Sequence, residues 1–151
     1  MNCQLAIQWT DANNTGISII DDQHRGIVSA INSLGLFIRQ NKGEYFQNAA
    51  FVMVDSYTKL HFATEEELLR LSGYEHFAEH RQLHENFIRK SFELSTKSIR
   101  LRDPKIYFLF LLQWWTEHIN KCDHMYADTV KTYLAQQAPS LEPQDCVPVN
   151  L

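Results

Sequence analysis

Two short spacings constrain this chain more than anything else in it: HxxxE at His61 and Glu65, and HxxxH at His80 and His84. Each puts two side chains on one face of a helix, one turn apart. With His24, and with His118 and Asp123, they give five imidazoles and two carboxylates spread over four segments of helical periodicity. Four such helices facing inward would build a dinuclear metal site in the core of a bundle.

The four segments follow from apolar spacing and helix punctuation. The first runs from about Asp22 to Gln40, with Ile27, Val28, Ile31, Leu34 and Ile38 as its stripe, which His24 extends upstream. Asn41-Lys42-Gly43 breaks it. The second runs from about Glu44 to Leu71, with Phe46, Ala50, Met53, Tyr57, Leu60 and Leu68 read as its apolar side, and His61 and Glu65 within it. Ser72-Gly73 ends it. The third, from about Glu75 to Lys97, carries Phe77, His80, Leu83, His84, Phe87 and Leu94 on one side. Asp103-Pro104 reads as an N-cap followed by proline in the first turn of a last helix that extends to about Gln136. Its inward side holds Leu111, Trp114, His118, Ile119, Cys122, Tyr126 and Val130. No strand signal or internal repeat competes. Short connections make consecutive helices antiparallel, so an all-α, up-down-up-down four-helix bundle is expected over residues 1–137. Residues 1–20, with Trp9 and Gly16, read as an extended N-terminal arm, and 138–151, rich in proline, as a flexible tail or linker.

Composition removes several classes of function. Hydrophobic residues make up 44% and charged residues 21%, an ordinary globular balance. The net charge of −4 comes without a basic block, which argues against a nucleic-acid partner. The apolar run around Tyr107–Trp115 is too short to span a bilayer, and MNCQLAIQW lacks the features of a signal peptide, so a cytoplasmic protein with no membrane insertion is expected. Three cysteines, far apart and without a CxxC, imply no disulfide framework, and Cys122 reads as a small buried hydrophobe.

Each His pair alone is a weak signal. Placement strengthens it: buried His, Glu and Asp are costly unless paired or ligating, and here they interrupt apolar stripes on all four helices. By contrast Glu66, Glu67, Glu75, Glu79 and Glu85 read as solvated faces or helix-surface pairs, and His76 and His124 as surface or hydrogen-bonded residues. His118 and Asp123 fit least well, since five residues turn an ideal α-helix by about 140° beyond a full turn. Zinc suits the same donors, but seven ligands for two ions fit iron better.

The chain resembles the hemerythrins, specifically the bacterial ones, over about Trp9 to Tyr133. The resemblance is carried by Trp9, Thr15-Gly16-Ile17, Ile20-Asp21-Asp22-Gln23-His24, His61-Phe62-Ala63-Thr64-Glu65, Gly73-Tyr74, His80-Arg81-Gln82-Leu83-His84, Trp114, His118-Ile119 and Asp123. It implies two non-heme iron ions with a bridging oxo or hydroxo group. One iron would take His80, His84 and His118, the other His24 and His61, with Glu65 and Asp123 bridging. That leaves one position open, on the second iron only, for O2 or, in the oxidised state, azide and other small anions. Trp114, Trp115 and Ile119 would line the ligand pocket. Trp115 stands where the family often has Leu, which would narrow that pocket. The implied function is reversible O2 binding as a carrier or store, with no catalytic residue. The alternatives are an O2 or redox sensory input to a signalling partner or output domain, and a di-iron enzyme acting on peroxide, nitric oxide or ferrous iron. Glu-rich bundle sites support oxidising enzymes; five neutral imidazoles favour reversible binding.

Overall fold

The structure is a computed structural model that describes residues 6–137. The 138–151 tail lies outside the described residues, as do Cys3 and Cys146. Helix α1 spans Ser18–Arg39, α2 Glu44–Ser72 and α3 Phe77–Leu101. The fourth rod is composite: α4, Lys105–Trp114, a π-helical stretch, Trp115–Cys122, then α5, Asp123–Met125, and α6, Ala127–Gln137. No strand occurs among the described residues. Helix α1 packs on α2 and α4, α3 on α2 and α4, and α6 on α2. With short connections between them, the rods form a four-helix bundle.

Local chemistry sets the boundaries. Helix α1 begins four residues earlier than its stripe suggests, because Asp21 organises the turn before it. Its carboxylate accepts from the Thr15 N–H (2.7 Å), the Thr15 hydroxyl (2.8 Å) and the Gly16 N–H (3.1 Å). Gly16 meets this turn at φ +82°, a left-handed conformation that favours glycine. Helix α2 stops at Gly73, φ +69°. Helix α3 starts after a turn closed by Phe77 N–H on the Tyr74 carbonyl, and runs four residues beyond Lys97 to Leu101. Before α4, the Asp103 carboxylate accepts from the Lys105 N–H at 3.1 Å, the capping bond its position suggested.

One core cluster contains Ile27, Ile31, Leu34, Val54, Phe62, Phe87, Leu111, Trp114, Trp115 and Ile119. The inward side of α2 differs from the stripe read in sequence. Phe46, Met53 and Leu60 are about half exposed; Ala50, His61 and Glu65 face inward as read, joined by Phe51, Val54, Thr58, Phe62 and Leu69. Leu60 precedes His61 by one residue, about 100° of rotation. Two adjacent stripes compete on this helix, and the one that carries Phe51, Val54 and Phe62 together with the ligand candidates faces the core. Leu83 on α3 is also exposed, for the same reason beside His84.

The arm is pinned to α1 by a reciprocal pair: Ile7 N–H donates to Asn32 Oδ1 and Asn32 Nδ2 donates to the Ile7 carbonyl, both 2.9 Å. Its 3-10 turn, Asp11–Asn13, reaches the π-helical stretch through Asn13 Nδ2 donating to Asn120 Oδ1 at 2.8 Å. No described helix is long and apolar enough to cross a membrane.

Candidate metal centre

All seven candidate ligands are buried, and their donor atoms form two adjoining groups: Glu65, His80, His84 and His118 in one, His24, His61 and Asp123 in the other. Helix α1 contributes His24, α2 His61 and Glu65, α3 His80 and His84, and the composite rod His118 and Asp123.

Every imidazole turns Nε2 inward. His24 Nε2 lies 3.3 Å from His61 Nε2 and 3.1 Å from Asp123 Oδ2. His84 Nε2 lies 3.2 Å from His118 Nε2 and 2.9 Å from Glu65 Oε2. Asp123 divides its oxygens: Oδ2 faces His24 and His61 (3.1 and 3.6 Å), and Oδ1 faces His80 and His118 (3.4 and 3.2 Å). Glu65 Oε2 sits between His61 at 3.4 Å and His80 at 3.3 Å. Both carboxylates therefore stand between the two histidine groups.

His24 with His61 and with Asp123 Oδ2, and His84 with His118, have hydrogen-bond geometry, whereas the contacts to Glu65 and to Asp123 Oδ1 are close without it. Both Glu65 oxygens, Asp123 Oδ1 and His80 Nε2 are buried without a hydrogen-bond partner. Buried polar atoms left so are expensive. Donor atoms crowd in this way when they point at a common centre, which is the arrangement a cation needs. The donor set of imidazole nitrogen and carboxylate oxygen suits iron.

The electrostatics agree. Burial pushes Glu65 up, but His61, His80 and His84 together hold its carboxyl well below the usual range. Burial and the charge of Glu65 push Asp123 up, and His118, His24 and His61 outweigh them, bringing it to about 2. Burial drives His118 down to about 4, so it stays neutral, as a ligand must be. His61 and His80 are raised despite burial, chiefly by Glu65 and with Asp123 adding to it.

The π-helical stretch resolves the awkward spacing of His118 and Asp123. There the Asp123 N–H bonds to the His118 carbonyl, five residues back rather than four. The wider turn brings residues five apart to the same side, and His118 Nε2 meets Asp123 Oδ1 at 3.2 Å. Such stretches are uncommon and cluster at functional sites.

The tandem tryptophans diverge. Trp114 stacks on His118, with ring centres 5.4 Å apart and 18° between planes, and its Nε1 is buried without a partner. Trp115 is buried and packs on Trp9 at 5.8 Å; Trp9 also lies 6.5 Å from His24 and beneath the Arg25 guanidinium. Ile119 is fully buried in the same core cluster as Trp115.

Several residues read differently from sequence. Glu66 is not a solvated face: its Oε1 lies 2.9 Å from His84 Nδ1, and its side chain is only 29% exposed. Nothing but its place beside Glu65 marked it. Phe62 stacks face to face on His84 at 3.8 Å. Tyr126, fully buried, packs on His80 at 5.5 Å. Cys122 is half-buried rather than buried, its Sγ donating to the Glu117 carbonyl. His76 is exposed beside Glu75, and His124 is half-buried, with neither in the cluster.

A family profile described as "Hemerythrin HHE cation binding domain" matches residues 15–130. The bacteriohemerythrin of Stenotrophomonas maltophilia is 36% identical over 131 residues, covering 86% of this chain and 85% of that one. The bacteriohemerythrin of Pseudomonas aeruginosa is 34% identical over 129 residues, covering 85% and 84%. A crystal structure of a hemerythrin point mutant superposes with a TM-score of 0.74 at 24% identity, covering 84% of this chain and 98% of that one, and speaks for the fold.

Proposed function

This chain belongs to the hemerythrin family, and on that premise we propose that it binds O2 reversibly at a non-heme di-iron centre, as a carrier or store. The observation that carries the reading is the division of the Asp123 oxygens between a group of three histidines and a group of two. His80, His84 and His118 would hold one iron, His24 and His61 the other, with Glu65 and Asp123 shared. When bound, the iron pair supplies two electrons and a site for a diatomic ligand.

The rest belongs to the chain. The unequal histidine count leaves the ion held by His24 and His61 one protein ligand short of its neighbour. Trp9 stands against His24, and Trp115 closes over Trp9. Such an aromatic wall would limit the access of water and anions to the iron and so slow loss of the reduced state. Five neutral imidazoles with two carboxylates carry less negative charge than Glu-rich sites, which supports binding without turnover, so no residue is assigned a catalytic role.

The test is anaerobic reduction of the iron-loaded protein followed by O2 addition, watched by visible absorption. The reading expects a charge-transfer band that appears with O2 and disappears when O2 is removed, over many cycles. Irreversible bleaching, or turnover of added peroxide or nitric oxide at substrate rates, would replace it with an enzyme. A change in hydrodynamic shape between iron states would favour a sensory input domain.

A further inference from the structure

We propose that Glu66 is a positioning residue for the metal pocket of His80, His84 and His118, and that its carboxylate makes the two ions electronically unequal. The proposal rests on the di-iron reading above and assigns a role to a residue outside its ligand set.

His84 is held from both ends by consecutive residues of α2. Its Nε2 meets Glu65 Oε2 at 2.9 Å, and its Nδ1 meets Glu66 Oε1 at 2.9 Å. A ligand bound through Nε2 carries its proton on Nδ1, and a carboxylate there fixes both the tautomer and the ring plane. Phe62, stacked on the ring at 3.8 Å and 12°, prevents it from tilting. The pull of Glu66 on the Nδ1 proton raises the donor strength of Nε2.

The other pocket lacks this device. His24 Nδ1 and His61 Nδ1 are both buried with no hydrogen-bond partner. The ion of His80, His84 and His118 thus has a carboxylate-backed ligand, whereas the ion of His24 and His61 has two unsupported ones. Stronger donation and nearby negative charge favour ferric over ferrous iron. The three-histidine pocket would therefore favour the ferric state of its ion more than the two-histidine pocket does.

The same carboxylate reaches the surface. Arg81 Nε lies 3.8 Å from Glu66 Oε2 and 3.4 Å from Glu85 Oε1, and the Arg81 side chain is 58% exposed. Its cation draws on the charge of Glu66 and opposes the effect on His84. Arg81 and Glu66 form a line from solvent to a buried ligand, with opposite signs at successive steps.

The experiment uses the iron-loaded full chain and its E66Q, E66A and R81Q variants. Iron retention is followed against a chelator, and the reduction potential by dye-coupled titration. E66A should release one of the two irons about 10- to 100-fold more readily, the usual cost of losing such a partner. E66Q keeps an acceptor oxygen for His84 Nδ1 and should retain iron close to the wild-type level, but with a raised potential. R81Q should lower the potential. A purely structural role moves retention alone and cannot shift the potential in opposite directions in E66Q and R81Q. Wild-type retention and potential in both Glu66 variants would overturn the proposal, as would shifts of one sign in E66Q and R81Q. Failure of the wild-type chain to take up two irons would instead sink the di-iron reading itself, so the two failures are told apart.

Discussion

His61 and His84 belong to different groups of the cluster, and each approaches a shared carboxylate. Replacing either with Ala should reduce iron from two per chain to about one and lower thermal stability, because bound metal stabilises only the folded state. Metal analysis and thermal melts check this; full loading in both variants contradicts the assignment. Glu65 has both oxygens buried without hydrogen-bond partners, and three imidazoles hold it anionic. Glu65→Gln keeps its shape and removes its charge. The expected result is loss of magnetic coupling between the irons, measured by low-temperature susceptibility, rather than a shifted pH profile. Trp115 is buried against Trp9 on the His24 side. Trp115→Leu should cost roughly 1–3 kcal/mol and speed both azide binding and autoxidation. Unchanged rates by stopped flow, with the di-iron centre intact, would leave Trp115 as packing alone.

At the level of elements, two local devices hold the candidate ligands in register. The first is the Asp21 turn, one helical turn ahead of His24. Asp21→Ala removes three hydrogen bonds to a buried carboxylate and should cost roughly 2–4 kcal/mol, with looser iron retention following from a frayed start to α1. A chemical-denaturation series tests the energy, and a stability within 0.5 kcal/mol of wild type (about the noise of a surface substitution) would deny the turn its role. The second is the π-helical stretch between Trp115 and Cys122. It accommodates one residue more than an α-helix would between His118 and Asp123, at the expense of weaker backbone geometry. Sequence read with the α-helical period made this pair the poorest match, because the period itself changes there. The competing stripe of Phe46, Met53 and Leu60 on α2 misled for a related reason: apolar periodicity alone carries no label for which of two adjacent stripes meets the core.

For the molecule as a whole, the cluster places two anionic carboxylates and five imidazoles in a buried core. Metal binding and proton binding compete for the same atoms. The signs differ among the histidines. His61 and His80, raised above 6.5, take protons first as pH falls, whereas His118, lowered to about 4, resists them. Asp123, at about 2, and Glu65 remain anionic throughout that range. Iron should therefore be retained at pH 8 and released as pH falls through about 6.5 and below, with histidine rather than carboxylate protonation as the cause. A chelator-release series across pH 4–8 checks it; retention flat down to pH 4 would overturn this pH dependence.

The sequence by itself determined the number of rods, their antiparallel order, the capping residues Gly73 and Asp103, and the identity of the seven polar residues that belong inside. Those are properties of spacing and of single side chains: a turn-apart His and Glu share a face wherever the helix goes, and glycine alone adopts a left-handed turn cheaply. Tertiary structure decided what depends on distance between rods. It turned α2 so that Phe51, Val54 and Phe62, rather than Phe46, Met53 and Leu60, face inward beside His61 and Glu65. It widened the helix at His118 so that Asp123 could turn one oxygen to each histidine group. It brought Glu66, otherwise one more acidic residue on a charged helix, behind His84 on the neighbouring rod. A carboxylate and an imidazole 18 residues apart leave no periodic trace in one chain. Only the packing of α2 against α3 makes them partners.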